Sequence, residues 1–175
     1  MRLLLLLTLA SSLLAQSSRP EHTLAGIHLN QDTKSDMYRR LGHPNHIEDQ
    51  PDLDGPVARG DRSYYWYRGA NTIRVDTHYA SRDKVSPAHE GPAQTIDIFG
   101  DRAAQSYART GAGLHIGDKL STARKLYRQV ALDRTSEDSP SRLVFHWIDG
   151  TRLTIDADSS GHIIHLQLTQ NEDAD

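Results

Sequence analysis

One order of apolar and polar positions occurs twice along the chain. A glycine followed by an apolar residue, a histidine and another apolar residue stands at residues 26–29 and again at residues 113–116. Each of these segments precedes a short stretch with apolar residues three or four positions apart, which is the spacing of an amphipathic helix. Segments of alternating polarity with glycine-containing turns follow each helix. The sequence therefore predicts an α+β fold with two tandem units, each a short helical segment followed by an antiparallel β-meander.

The two predicted helices are marked by different signals. In the first unit, Met37 and Leu41 form a short apolar stripe, Thr33 and Asp36 have the spacing of a capping box, and Gly42 ends the helix. In the second unit the apolar stripe is longer and comprises Leu120, Ala123, Tyr127 and Val130. Each stripe predicts the buried side of its helix.

Each predicted meander begins with a hairpin. In the first unit, a turn at residues 69–71 joins the segments at residues 63–68 and 72–79. In the second unit, an Asp-Gly pair joins residues 142–148 to residues 152–157 and is a strong hairpin signal. Alternation along these strands predicts which side chains point inward. The predicted core positions are Tyr65, Tyr67, Ile73 and Val75 in the first unit and Phe145, Trp147, Leu153 and Ile155 in the second.

The residues that alternate with this predicted core point to the opposite face of the sheet. They are aromatic, charged and histidine side chains, which are common at recognition surfaces. We predict that this face binds a partner and that Trp66 is its anchor. The predicted binding residues are Trp66, Arg74, Asp76, His78, His146, Thr154 and Asp156.

The chain divides into four predicted segments. Residues 1–15 have a basic start, an apolar core and a small residue at the end, as a secretory signal peptide does, and the apolar run is too short for a membrane anchor. Residues 16–100 and 101–170 are the two predicted repeats, and residues 171–175 form an acidic tail. We therefore expect an extracytoplasmic protein, periplasmic or secreted, with no stable membrane insertion after cleavage.

Composition narrows the function classes. The chain of 175 residues contains no cysteine, which excludes thiol catalysis, thiolate metal sites and disulfides. Its formal net charge of −3 lacks the strong positive balance of nucleic-acid-binding proteins, so no nucleic-acid partner is expected. The 10 histidines are many for this length and are the one compositional feature that could carry chemistry.

The second predicted unit also resembles known modules. Residues 113–121 lead from a glycine through a polar turn into a helix at Ala123 and Leu126, as at the start of the units of secreted β-lactamase-inhibitor proteins and of small lipoproteins of the outer-membrane barrel-assembly machinery. Leu-Gly-His-Pro at residues 41–44 is similar to the helix stop of such repeats. The similarity spans residues 24–169, but the cysteines of both families are missing. The resemblance implies a non-catalytic exported module that binds another envelope or secreted protein through its loops and sheet face.

Two other functions remain open. His43 and His46, and likewise His162 and His165, lie three positions apart, which does not match the helical spacing of a zinc motif. No Gly-x-Ser-x-Gly elbow of a serine hydrolase occurs. We therefore expect no catalytic residue, no metal and no cofactor. The alternatives are a metal- or carboxylate-dependent hydrolase that uses surface histidines, and a binding protein for small ligands or cell-wall sugars.

Overall fold

The structure is a computed structural model. Within the residues it describes, no helix has the length and apolarity needed to cross a membrane. The predicted signal peptide, residues 1–15, and the predicted acidic tail, residues 171–175, lie outside the described residues. The described residues are 19–52, 59–80, 89–101, 108–137 and 139–170.

Strands dominate the described part of the chain, and the predicted α+β class is confirmed. The helices are α1 (Lys34–Leu41), α2 (Leu120–Leu126) and α3 (Arg134–Glu137). The strands are β1 (Thr23–Leu24), β2 (Ile27–His28), β3 (His46–Asp52), β4 (Arg59–Arg68), β5 (Asn71–Ala80), β6 (His89–Gly100), β7 (Ala131–Leu132), β8 (Arg142–His146), β9 (Thr151–Ala157) and β10 (Ile163–Gln170).

The large sheet places the last strand of each half of the chain at its centre. It has eight antiparallel strands in the order β3-β4-β5-β6-β10-β9-β8-β7, while β1 and β2 form a separate two-stranded sheet. β6 and β10 pair in the middle, where Ile98 faces Leu166 and Ile96 faces Leu168. Two runs of consecutive strands thus meet side by side in one sheet.

The apolar core lies between the helices and one face of the large sheet. Met37 of α1 and Leu120 and Ala123 of α2 belong to the same buried cluster as the strand residues Ile96 and Leu166. Burial of an aliphatic side chain of this size contributes about 1.5–3 kcal/mol. Of the predicted stripes, Met37, Leu120, Ala123 and Tyr127 are buried, whereas Leu41 and Val130 are only partly buried. The second helix is also shorter than predicted, since Tyr127 and Val130 lie beyond its end.

The first hairpin has a turn of two residues, not three. Arg68 pairs with Asn71, and as a result Trp66 pairs with Ile73. The glycine that opens the turn has φ 61°, as the first position of a type II′ turn requires. The predicted turn of three residues would have paired Tyr67 with Ile73. A shift of one residue exchanges the two faces of a strand, because side chains alternate strictly.

The prediction that Tyr65 and Tyr67 fill the core is consequently wrong. Tyr64 and Trp66 are 0% exposed, whereas Tyr67 is 51% exposed. The indole Nε1 of Trp66 donates a hydrogen bond of 2.9 Å to the carbonyl oxygen of Gly42, directly after α1. Trp66 therefore fills the core and also ties the end of the helix to the sheet.

In the second hairpin the predicted core is confirmed. Phe145 is 3% exposed, Trp147 is 8% exposed, and Leu153 and Ile155 are fully buried. The backbone N–H of Trp147 donates to the carbonyl oxygen of Thr151 at 3.0 Å and closes the turn. The Asp-Gly pair lies inside this turn, and its glycine has φ 83°. Because His146 pairs with Arg152, this turn is longer than the two residues of an Asp-Gly hairpin, and it is the alternation that predicts the faces correctly.

Candidate functional site

The face of the large sheet opposite the core carries alternating polar and aromatic side chains, and we call it the polar face. α1 and α2 contribute their buried side chains to the core on the other side. The polar face comprises Tyr65 and Tyr67 on β4, Thr72, Arg74, Asp76 and His78 on β5, Thr95, Asp97 and Phe99 on β6, His165, Gln167 and Thr169 on β10, Arg152, Thr154 and Asp156 on β9, and Arg142, Val144 and His146 on β8.

Arg74 holds two carboxylates on the first half of the polar face. Its Nη2 lies 2.8 Å from Asp97 Oδ2 and 3.3 Å from Asp76 Oδ2. The Asp97 side chain is 0% exposed, and a buried carboxylate is tolerated only when a cation is paired with it. Burial raises the pKa of Asp76 above its ordinary value despite the neighbouring guanidinium.

His165 lies between two carboxylates at the centre of the sheet. Its Nε2 is 2.8 Å from Asp97 Oδ1, and its Nδ1 is 2.9 Å from Asp156 Oδ2. Ionised carboxylates only accept hydrogen bonds, so both ring nitrogens must carry a proton if both contacts are hydrogen bonds. Burial by itself lowers the pKa of His165, but the hydrogen bonds to Asp97 and Asp156 outweigh it, and the pKa is raised. The site thus favours the imidazolium form.

These contacts form one line of alternating charge across the sheet, which we call the charge chain. At its far end, Arg142 Nε lies 3.5 Å from Asp156 Oδ1. Its three carboxylates are balanced by two guanidinium groups and the His165 imidazolium. The members lie on β5, β6, β10, β9 and β8, so hydrogen-bonded strands fix their positions. In order, the charge chain is Asp76, Arg74, Asp97, His165, Asp156 and Arg142.

Two exposed aromatic side chains lie beside the charge chain. The Phe99 ring stacks on His165 with 4.5 Å between ring centroids and 3° between ring planes. The guanidinium of Arg74 lies 5.9 Å from the Phe99 centroid. Phe99 is nevertheless 37% exposed, and Tyr67, two strands away in the same row, is 51% exposed. Aromatic rings next to fixed charges are typical of recognition surfaces.

The structure changes the predicted binding set at two positions. Trp66 is buried on the core face, so the prediction that it anchors a partner is wrong; the turn of two residues is the physical reason. Thr154 lies on the polar face as predicted, between Val144 and Gln167, but is only 2% exposed. Neither side chain presents a contact surface.

The other predicted residues lie on the polar face but do not form one group. Arg74, Asp76 and Asp156 belong to the charge chain. His78 Nδ1 lies 3.0 Å from Asp61 Oδ1 near the end of β5. His146 is on β8, four strands away from β5 on the same face of the sheet. The sequence thus located the face but not the way in which its charges connect.

Four residues of the polar face are absent from the predicted binding set: Asp97, Phe99, His165 and Tyr67. Asp97 and Phe99 alternate with buried isoleucines on β6, which was a usable signal for their face. Their contacts with His165 depend on the pairing of β6 with β10, which no local pattern encodes.

The histidine pairs that suggested metal binding are not supported by further ligands. His165 is engaged by the charge chain, whereas His162 Nδ1 lies 3.5 Å from Lys119 Nζ. Among the described residues, no group of three or more His, Asp or Glu side chains is arranged to hold a metal ion.

Comparisons with known proteins give one weak similarity. No protein-family model matches the sequence, and no curated protein matches it. A solved structure of a DUF4309 family protein, YjgB from Bacillus subtilis subsp. subtilis str. 168, is similar over 89% of this chain and 88% of that protein, with a TM-score of 0.41 and 14% sequence identity. A similarity at this level carries no argument about fold or function.

Proposed function

We propose that this protein is an exported, non-catalytic binding module that engages another envelope or secreted protein through the polar face. The observation that carries the proposal is the pair of exposed rings, Tyr67 and Phe99, in one row beside the charge chain. Aromatic side chains with few rotatable bonds lose little entropy when they are buried by a partner. They supply the apolar centre of an interface, and the ion-paired residues around them supply its polar rim.

The charge chain supports this function because its members are already ordered. Arg74 and His165 are each held by two carboxylates before any partner arrives. A partner therefore meets charges in fixed positions and does not need to immobilise flexible side chains, which lowers the entropic cost of binding. Fixed charges also favour a partner of complementary pattern.

Export of the chain is the second part of the proposal. The basic start, the apolar core and the small residue at position 15 support cleavage before residue 16. N-terminal sequencing of the protein recovered from the envelope or medium tests this directly, with Gln16 as the expected first residue. An N-terminus at Met1 in the recovered protein would contradict it.

We further propose that the two halves are tandem copies. β4 to β6 and β8 to β10 are both antiparallel meanders of three strands, and the cross-strand pair Trp66 and Ile73 in the first corresponds to Phe145 and Leu153 in the second. All four side chains are buried. Six residues lie between Trp66 and Ile73 and seven between Phe145 and Leu153, because the second hairpin has the longer turn.

The loops before the helices support the same proposal. The backbone N–H of His28 donates to Asp32 Oδ2 at 2.9 Å, and that of His115 donates to Asp118 Oδ2 at 3.1 Å. In both loops the histidine Nδ1 is 3.3 Å from the same aspartate oxygen. An experimental structure in which residues 24–100 and 113–169 do not superpose would contradict the proposal.

Site-specific crosslinking tests the binding function. A photoreactive phenylalanine analogue is placed at Tyr67 on the polar face, or at Ile47, which is 43% exposed and pairs with the core residue Tyr64 on the other side. We expect protease-sensitive adducts in the native envelope from position 67 and none from position 47. Phe99→Ala should reduce the yield at position 67 about tenfold, as loss of about 1.4 kcal/mol of binding free energy would.

Three outcomes would count against the proposal. Equal adducts from Tyr67 and Ile47 would show non-specific contact, and no adduct from position 67 would show that the polar face does not meet a protein in the envelope. A protease-resistant adduct containing sugar would favour the alternative of a cell-wall-sugar binding protein.

A further inference from the structure

Arg152 differs from the neighbouring arginines of the polar face. Arg74 and Arg142 are ion-paired with carboxylates of the charge chain. Arg152 forms no ion pair or hydrogen bond with any described residue, although the residue is partly buried. A guanidinium without a counter-ion among the described residues is available to bind an anion.

The residues on both sides of Arg152 also have unused hydrogen-bonding groups. Thr169 of β10 and His146 of β8 are in register with Arg152 on β9, so the three side chains are adjacent in one row. Thr169 Oγ1 and Arg152 Nε are buried and lack hydrogen-bond partners among the described residues. His146 Nε2 is also buried and not hydrogen-bonded, but it lies within ion-pair distance of Asp133. Native structures satisfy the large majority of such groups, so the two adjacent unsatisfied groups on Arg152 and Thr169 require an explanation.

The charge of this row is positive. His146 Nε2 lies 3.4 Å from Asp133 Oδ2, which balances the histidine when it is protonated. Among the described residues, the guanidinium of Arg152 then has no counter-ion. A planar guanidinium presents parallel N–H donors that match the two oxygens of a carboxylate or phosphate.

We infer that Arg152, flanked by Thr169 and His146, is a binding site for an oxyanion on the polar face. The guanidinium of Arg152 binds two oxygens of the anion, and small side-chain rotations bring the Thr169 hydroxyl and the His146 ring to it as further donors. The anion is either the carboxylate of an acidic peptide or a free phosphate. The inference does not depend on the proposed function, since a free anion would bind whether or not a partner protein exists.

Nuclear magnetic resonance of the full mature chain, with labelled arginine side chains and threonine methyl groups, tests the site. Sodium phosphate and a short peptide rich in glutamate are titrated separately at constant ionic strength. We expect saturable shifts at Arg152 and Thr169 with a dissociation constant on the order of millimolar for phosphate. Tighter binding of the peptide would identify a carboxylate ligand, and tighter binding of phosphate would identify a free anion.

Two variants provide the decisive comparison. Arg152→Gln should weaken the saturable binding at least tenfold, whereas Arg142→Gln, on the same face but already paired with Asp156, should leave it unchanged. If Arg152→Gln does not fold, Arg152→Lys serves instead, because it keeps the charge but loses the planar fork and should bind at least about fivefold more weakly.

The inference is overturned by shifts that do not saturate, by equal shifts with chloride, or by unchanged binding in the Arg152 variants. Failure of crosslinking at Tyr67 would instead contradict the proposed function and leave this site untouched, so the two ideas are separable.

Discussion

His165 Nε2 lies 2.8 Å from Asp97 Oδ1, and this contact joins β10 to β6 at the border between the two runs of strands. The two residues are 68 positions apart in the sequence. Their side chains therefore connect the two halves of the polar face at the centre of the sheet.

The raised pKa of His165 predicts a loss of stability at alkaline pH. A group with a raised folded-state pKa contributes stability that is fully present below its unfolded-state pKa, about 6.5 for histidine. That contribution is lost as the pH rises through the folded-state value. Urea unfolding should show a free energy of unfolding that falls above about pH 6.5, by at most about 1.4 kcal/mol per pH unit for this proton.

The control for this prediction is a second histidine on the same face. His165→Gln should flatten the dependence on pH, whereas His78→Gln, which removes an exposed histidine paired with Asp61, should keep it. An unchanged slope in His165→Gln would assign the effect to other groups.

Trp66→Ala is expected to destabilise the fold by about 3–5 kcal/mol, because it leaves a cavity at a side chain that is 0% exposed. Tyr67→Ala, one position further and 51% exposed, should change the free energy of unfolding by less than about 0.5 kcal/mol. Chemical denaturation of both variants measures the difference. Equal losses would show that β4 uses both faces for packing.

The contrast between these neighbours also shows how far the sequence could predict the fold. Alternation identified both hairpins, and it assigned the faces of the second one correctly from Phe145 to Ile155. In the first hairpin, Gly69 begins a turn of two residues, and alternation alone does not distinguish this from a turn of three. Since one residue exchanges the faces, Trp66 was placed outward although it is in the core.

The candidate site was less predictable than the fold. Arg74 and Asp156 were placed on the correct face because each alternates with buried neighbours on its own strand. Asp97 contacts both Arg74 and His165 only because β10 pairs with β6. This strand pairing depends on the packing of the whole sheet. Local patterns carry no information about such long-range pairing.

Glu21 is expected to be important for stability, since its carboxylate is buried against the second half of the chain. Its oxygens accept hydrogen bonds from the backbone N–H of Gly111 at 2.7 Å and from the Tyr127 hydroxyl at 3.0 Å. Glu21→Ala should cost about 1–3 kcal/mol for each donor that it leaves buried and unpaired. His22→Ala is the matched control and should cost less than about 1 kcal/mol, because its pair with Asp149 is at the surface.

Gly60→Ala should detach β3 from the sheet. An added Cβ would lie 2.3 Å from the carbonyl oxygen of Gln50 and 2.8 Å from Pro51 Cα, both in the backbone of β3. We expect a loss of about 1–3 kcal/mol and faster amide exchange along β3. Gly91→Ala, where the nearest atom is 3.4 Å away, should leave exchange unchanged; equal effects would exclude the steric explanation.

The central position of β10 has a consequence for how this chain matures. β6 has its second neighbour only when the C-terminal strand arrives, so a nascent chain presents an unpaired edge in its middle. Such edges recruit strands from other molecules. The edge of β6 is therefore protected from aggregation only after β10, the last described strand, has been synthesised and has paired with it. Truncation before Ile163 should yield insoluble protein rather than a smaller folded one.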